Sequence, residues 1–174
     1  MPIIIKNKRI NKRGKEIRNF IDYINREYDV PHVVSLYVFD FPCVYDDNNC
    51  PAFGVIGFEK EIIIELANDL EWYSKIYRES SSKKFYVFSI LQILAHEIYH
   101  YFQFRDKKSI IENWVYHQSK KILLDYVNNN KNKTSLTQKY IEKIENQDSK
   151  DGSEYSFATD PITMMRKKLK MKIY

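Results

Sequence analysis

Apolar residues recur along this chain with two periods, and each change of period marks an element. Ile3–Ile5 is a β-branched run suited to a first strand. From Lys12 to Tyr28 the residues Ile17, Phe20, Ile21, Ile24 and Tyr28 return at three- and four-residue intervals, which predicts an amphipathic helix closed off by Pro31. Val33–Phe39 then reads as a buried strand. Asp40–Pro51 holds two prolines and the run Asp46-Asp47-Asn48-Asn49, and it reads as a loop. Ala52–Phe58 and Ile62–Leu66 predict two further strands, joined as a hairpin through Glu59-Lys60-Glu61. Gly54 and Gly57 fall inside the first of them, where glycine marks either a bulge or the close approach of a backbone or ligand.

The second half of the chain shifts to the helical period. Asn68–Lys84 is a polar connection with a helical turn expected around Leu70–Tyr77. Phe85–Phe104 contains neither Pro nor Gly and carries Val87, Leu91, Leu94, Ala95, Ile98 and Phe102 as an apolar stripe. Asp106-Lys107-Lys108 breaks that helix, and Ser109–Tyr126 predicts another, with Ile110, Ile111, Trp114, Val115, Ile122, Leu123 and Tyr126 as its apolar positions. After Val127 the character changes to an Asn/Lys linker over 128–133, a short charged helix at Leu136–Ile144, a loop at Gln147–Ser156 and a basic amphipathic stretch from Thr163. No internal repeat is visible. The expected architecture is an α+β domain over 1–127, with an N-terminal helix, a short mixed sheet of three to four strands and two helices after it. Residues 128–174 are expected to form a linker and a basic, partly helical tail.

Composition narrows this picture only in places. At 174 residues, 44% hydrophobic and 15% aromatic, the chain can bury a core and is not of the disordered class. The net charge of +5 is concentrated at the ends, in Lys6–Arg18 and in Arg166–Lys172. Such ends are more often solvated faces than nucleic-acid contacts, so nucleic acid is not the expected partner. There is neither a sustained apolar leader nor a membrane-length apolar run, so a cytoplasmic location is expected, with no membrane partner and a monomer favoured. In that compartment Cys43 and Cys50 are expected as thiols, and the sequon at Asn132 carries no meaning.

The chemistry lies in His96-Glu97-Ile98-Tyr99-His100. His96 and His100 are one turn apart on one helix face, so both rings reach a single tetrahedral metal ion. Glu97 stands at the edge of that face, where a carboxylate can take a proton from metal-bound water. A catalytic zinc needs a third protein ligand, and Asp106, Glu112, His117 and Asp125 are the candidates. If the two helices form an antiparallel hairpin, Glu112 is level with His100. Ser109-Ile110-Ile111-Glu112 is also a capping box, in which Glu112 would return to the Ser109 amide, and both readings stay open. Tyr116 shares the face of Glu112 and could donate to an oxyanion, as could His117 beside it; either is more often simply a packed or solvent-facing side chain. Tyr99 and Tyr101 read as packing residues.

A strand pair followed by an H-E-x-x-H helix and then a glutamate-bearing helix resembles the zincin metallopeptidases of the small gluzincin type, in outline over Val33 to Val127. The specific match is His96-Glu97-x-x-His100, with Glu112 as a looser one. Where small gluzincins often carry E-x-x-A, this chain has Glu112-Asn113-Trp114-Val115. The resemblance implies one zinc ion on His96, His100 and Glu112, Glu97 as base, and hydrolysis of peptide bonds in a peptide or protein substrate laid along a sheet edge. The alternative is a zincin-like binding or regulatory module that contacts nucleic acid or an acidic protein through its basic ends. A third option folds the tail over the cleft, with Asp160 reaching the metal.

Overall fold

In the computed structural model, the residues described are 2–7, 14–41, 43–68, 83–109, 112–132 and 134–142. The fold is α+β. Strands β1 (Ile3–Ile5), β2 (Val34–Phe39), β5 (Gly54–Gly57) and β6 (Ile62–Ala67) form one mixed sheet in the order β1-β2-β6-β5. β1, β2 and β6 run parallel, and β5 returns antiparallel along β6 as the expected hairpin. Val34, Leu36 and Val38 alternate inward on β2, as do Ile64 and Leu66 on β6, so one sheet face carries the core.

Helix α1 (Gly14–Glu27) places Ile17, Phe20, Ile21 and Ile24 against that face. It also finishes the β1 edge. The Asn25 side chain accepts from the Ile3 amide at 2.8 Å and donates to the Ile3 carbonyl at 3.0 Å, standing in for a neighbouring strand. Asn7 does the same for Val38, accepting from its amide at 3.1 Å and donating to its carbonyl, where β1 has ended.

The expected loop at Asp40–Pro51 is a correction. It contains a two-stranded ribbon, β3 (Val44–Tyr45) with β4 (Pro51–Ala52), closed by a type I turn. Asn49 takes the left-handed conformation at φ 57°, which asparagine tolerates, and Asp46 Oδ1 accepts from the amides of Asn48 and Cys50. Polar composition hid the ribbon because its turn chemistry outweighs its two short apolar strands. Cys43 and Cys50 are free thiols.

Helix α2 (Lys83–Arg105) is longer than expected and buried on nearly every side rather than along one stripe: Tyr86, Val87, Phe88, Ile90, Leu91, Leu94, Ala95, Ile98, Tyr101 and Phe102 are all core. A helix that is apolar all round belongs between layers, and α2 lies between the sheet and helix α3 (Glu112–Asn129). Three cross-contacts set the register of α2 and α3 as antiparallel. Gln92 Nε2 donates to Ser119 Oγ at 2.9 Å, the Tyr99 and Trp114 rings lie 6.2 Å apart, and His96 and His100 meet Glu112. The reversal begins with a Schellman turn. Lys108 N bonds to Gln103 O at 2.8 Å and Lys107 N to Phe104 O at 3.1 Å, with Lys107 left-handed at φ 53°.

Ser109 lies outside a helix, and α3, described from Glu112, runs through Asn128 and Asn129, which are expected in a linker. The core also crosses the expected boundary at Val127. Leu136 (2% exposed) and Ile141 (1%) belong to the same cluster, a helical turn spans 138–142, and the Ser135 amide donates to Glu16 Oε1 at 3.1 Å. The expectations for Leu70–Tyr77, for the loop at 147–156, for Asp160 and for the tail from Thr163 fall outside the described residues.

Candidate metal centre

The centre is assembled by the α2–α3 hairpin. His96 Nε2 and His100 Nε2 are 3.0 Å apart, as one turn of spacing requires. Glu112, in the first turn of α3, turns one carboxylate oxygen to each ring: Oε2 is 3.3 Å from His96 Nε2 and Oε1 is 3.4 Å from His100 Nε2. The carboxylate therefore faces the histidines, as the ligand reading of Glu112 has it, rather than turning back to the Ser109 amide. These three residues offer ligand atoms all within 4.8 Å of one another and could hold a metal ion. The histidine side chains are largely buried, whereas that of Glu112 is 65% exposed, so the cluster opens to solvent on the α3 side.

The electrostatics follow from this crowding. Hydrogen bonds with His100 and then His96 hold the Glu112 carboxyl well below the ordinary carboxylate range, against the upward push of its partial burial. Burial pulls the His100 ring down, but the bond from Glu112, the charges of Glu97 and Glu112 and the contact with Gln103 together raise it. Glu97, 7% exposed, is pushed up by burial and by Glu112, and the two histidines only partly offset this.

Strand β5 supplies the wall on the other side. A Cβ on Gly54 would lie 2.8 Å from Ile93 Cγ2, 3.0 Å from Glu97 Cγ and 3.1 Å from Glu97 Oε1. Of the two explanations for a glycine here, close approach is the one observed: the strand backbone lies directly on the Glu97 side chain. At Gly57 a Cβ would meet nothing within 4 Å. The Ala67 amide bonds to Phe53 O at 2.8 Å, which makes 53↔67 a hydrogen-bonded pair in the β5–β6 ladder. The alternation then leaves the N–H and C=O of Gly54 and Ile56 pointing away from β6, along the sheet's outer edge. Among the described residues, no strand pairs with that edge.

The remaining sequence candidates stand outside the cluster. Asp106 bonds to Arg105 at 2.7 Å and Lys108 at 3.3 Å in the inter-helix turn. Asp125 lies near the far end of α3. Tyr116 is half-buried one turn beyond Glu112, and His117 beside it, with ring centres 5.8 Å apart, is exposed. Two residues outside the expected ligand and base set bear on the site, Gly54 through its contact with Glu97 and Gln103 through its contact with His100. Glycine within a strand was the available signal for the first; for the second there was none, since a glutamine on an apolar helix reads as a surface residue. No family model, curated protein or solved structure matches this chain.

Proposed function

We propose that this protein is a zinc-dependent hydrolase of peptide bonds, with His96, His100 and Glu112 as metal ligands and Glu97 as general base. The observation that carries the reading is the pairing of two features: a three-residue cluster open to solvent, and a buried Glu97 carboxylate held under a strand edge that is unpaired among the described residues. Zinc–ligand bonds of about 2.0–2.2 Å in a tetrahedron imply ligand–ligand edges of about 3.3–3.6 Å. The 3.0, 3.3 and 3.4 Å separations are close to those edges.

When bound, zinc supplies Lewis acidity towards a carbonyl and towards water. This chain's residues supply the rest. Glu97 accepts the proton of the attacking water, and its upward-shifted carboxyl lies nearer the working range of a general base than an exposed glutamate would. Gly54 and Ile56 offer outward N–H and C=O groups, so an extended peptide adds to the sheet as one more strand beside Glu97. A substrate read through its backbone in this way is a peptide or an extended segment of a protein. The basic ends invoked by the binding-module alternative lie largely outside the described residues.

Metal analysis of purified wild type, His96→Ala and Glu112→Ala, paired with cleavage assays on a denatured protein mixture, tests this. One equivalent of zinc, lost in both variants, and cleavage abolished by chelator and restored by zinc are the expected results. A wild type that takes up no zinc when it is offered would overturn the reading.

A further inference from the structure

Gln103 is 1% exposed and stands one turn beyond His100 on α2. A buried carboxamide needs partners at both ends. Its Nε2 donates to the carbonyl oxygen of Ser109 at 3.2 Å. A carbonyl only accepts, so this bond fixes which end of the amide is nitrogen. Oε1 is then the end turned away from Ser109, and it is buried with no hydrogen-bond partner. His100 Nδ1 is buried and unpartnered in the same way. The two residues are i and i+3 on one helix and so share a face. An acceptor without a donor and a ring nitrogen without an acceptor thus occupy one turn.

We propose that Gln103 is a positioning residue for the metal centre. Its Oε1 takes the Nδ1–H of His100, which leaves Nε2, the atom facing His96 and Glu112, unprotonated for the metal. Its Nε2 holds Ser109, three residues before Glu112, so one side chain links the ligand turn of α2 to the segment that delivers the α3 ligand. Second partners of this kind fix the tautomer and orientation of a ligating imidazole. The inference rests on the metal-centre reading.

Zinc affinity, measured by competition with a chelating dye, separates the possibilities in wild type, Gln103→Met and Gln103→Glu. Methionine fills the same space with no acceptor for Nδ1–H, and affinity should fall about 10- to 100-fold. Glutamate restores the acceptor but cannot donate to Ser109, and most of the affinity should return. If Gln103→Met binds zinc as wild type does, or if both variants fall equally, the proposal is overturned. Failure of the metal reading itself is visible separately, as absence of zinc binding in wild type, and removes the proposal with it. Should Gln103→Met not fold, the imidazole ¹⁵N spectrum of wild type decides. Protonated Nδ1 with bare Nε2 on His100 supports the assignment, and protonated Nε2 with bare Nδ1 overturns it.

Discussion

The two edges of the sheet are finished in opposite ways. At β1 the outward amide and carbonyl of Ile3 are both taken by the Asn25 side chain, so the edge ends in a covalently attached partner. At β5 the outward groups of Gly54 and Ile56 pair with no strand of the sheet among the described residues, although the β3 ribbon comes close to β5. An open edge invites association with other chains and is commonly blunted. Among the described residues, the edge far from the His96–His100–Glu112 cluster is blunted and the one lying on Glu97 is unpaired. On the proposed function, β5 is the edge that would take an extended guest.

The comparison breaks most severely at Glu97. Glu97→Gln keeps the shape of the side chain and removes the proposed base, so turnover should fall about 10²- to 10⁴-fold while zinc content stays at the wild-type level. Loss of zinc in this variant would place Glu97 among the ligands instead.

Next comes the contact beneath the open edge. The added methyl of Gly54→Ala must displace Ile93 or Glu97. A misplacement of the base on that scale should cost up to about 10²-fold in turnover, with zinc retained. Gly57→Ala is the control, since its methyl meets nothing, and turnover should stay near wild type with stability within about 0.5 kcal/mol. Equal losses at the two positions would mean that the strand, and not the Glu97 contact, is at stake.

At the closed edge, Asn25→Ala leaves the Ile3 amide and carbonyl without their partner. Urea unfolding should show a loss of about 1–3 kcal/mol, while zinc binding and turnover of the folded protein are unchanged.

The smallest effect is on pH dependence. In the metal-free protein the His100 pKa is raised, so its contribution to stability is full below the unfolded value of about 6.5 and is lost as pH rises through the folded one. The Glu112 pKa is lowered, so its contribution is present above the ordinary carboxylate range and is lost only as pH falls through the depressed value. Thermal melts of chelator-treated protein should therefore decline as pH rises past neutrality. Zinc affinity should climb over the same window, because the imidazoles must shed protons to bind. Parallel trends in the two measurements would show that the His100–Glu112 pair contributes nothing without metal.

Much of this arrangement was legible from the residues alone, for reasons of range. The His96–His100 spacing is local helix geometry, and the level position of Glu112 follows from a short turn between two helices. What escaped depends on side chains acting as backbone. Asn7 and Asn25 complete ladders as amides, and no periodicity distinguishes them from surface asparagines. The β3–β4 ribbon was masked by Asp46-Asp47-Asn48-Asn49, whose side chains build its turn. Leu136 and Ile141 follow a run of Asn and Lys that looks like a linker, and only their burial shows that the core continues past it. Gln103 was hidden by the same logic, because a polar residue gains meaning from the two atoms it finds.

The Schellman turn at Lys107 has a consequence for the order in which the centre matures. It brings His100 and Glu112 together within a single helical hairpin, a local contact that closes early and at small entropic cost. The meeting of Gly54 with Glu97 joins segments distant in sequence and requires the β5–β6 pairing to be complete. On the proposed function, a partly assembled chain, or one whose sheet has melted, would therefore hold its ion while lacking a set base. Metal content reports on the hairpin; only turnover reports on the whole.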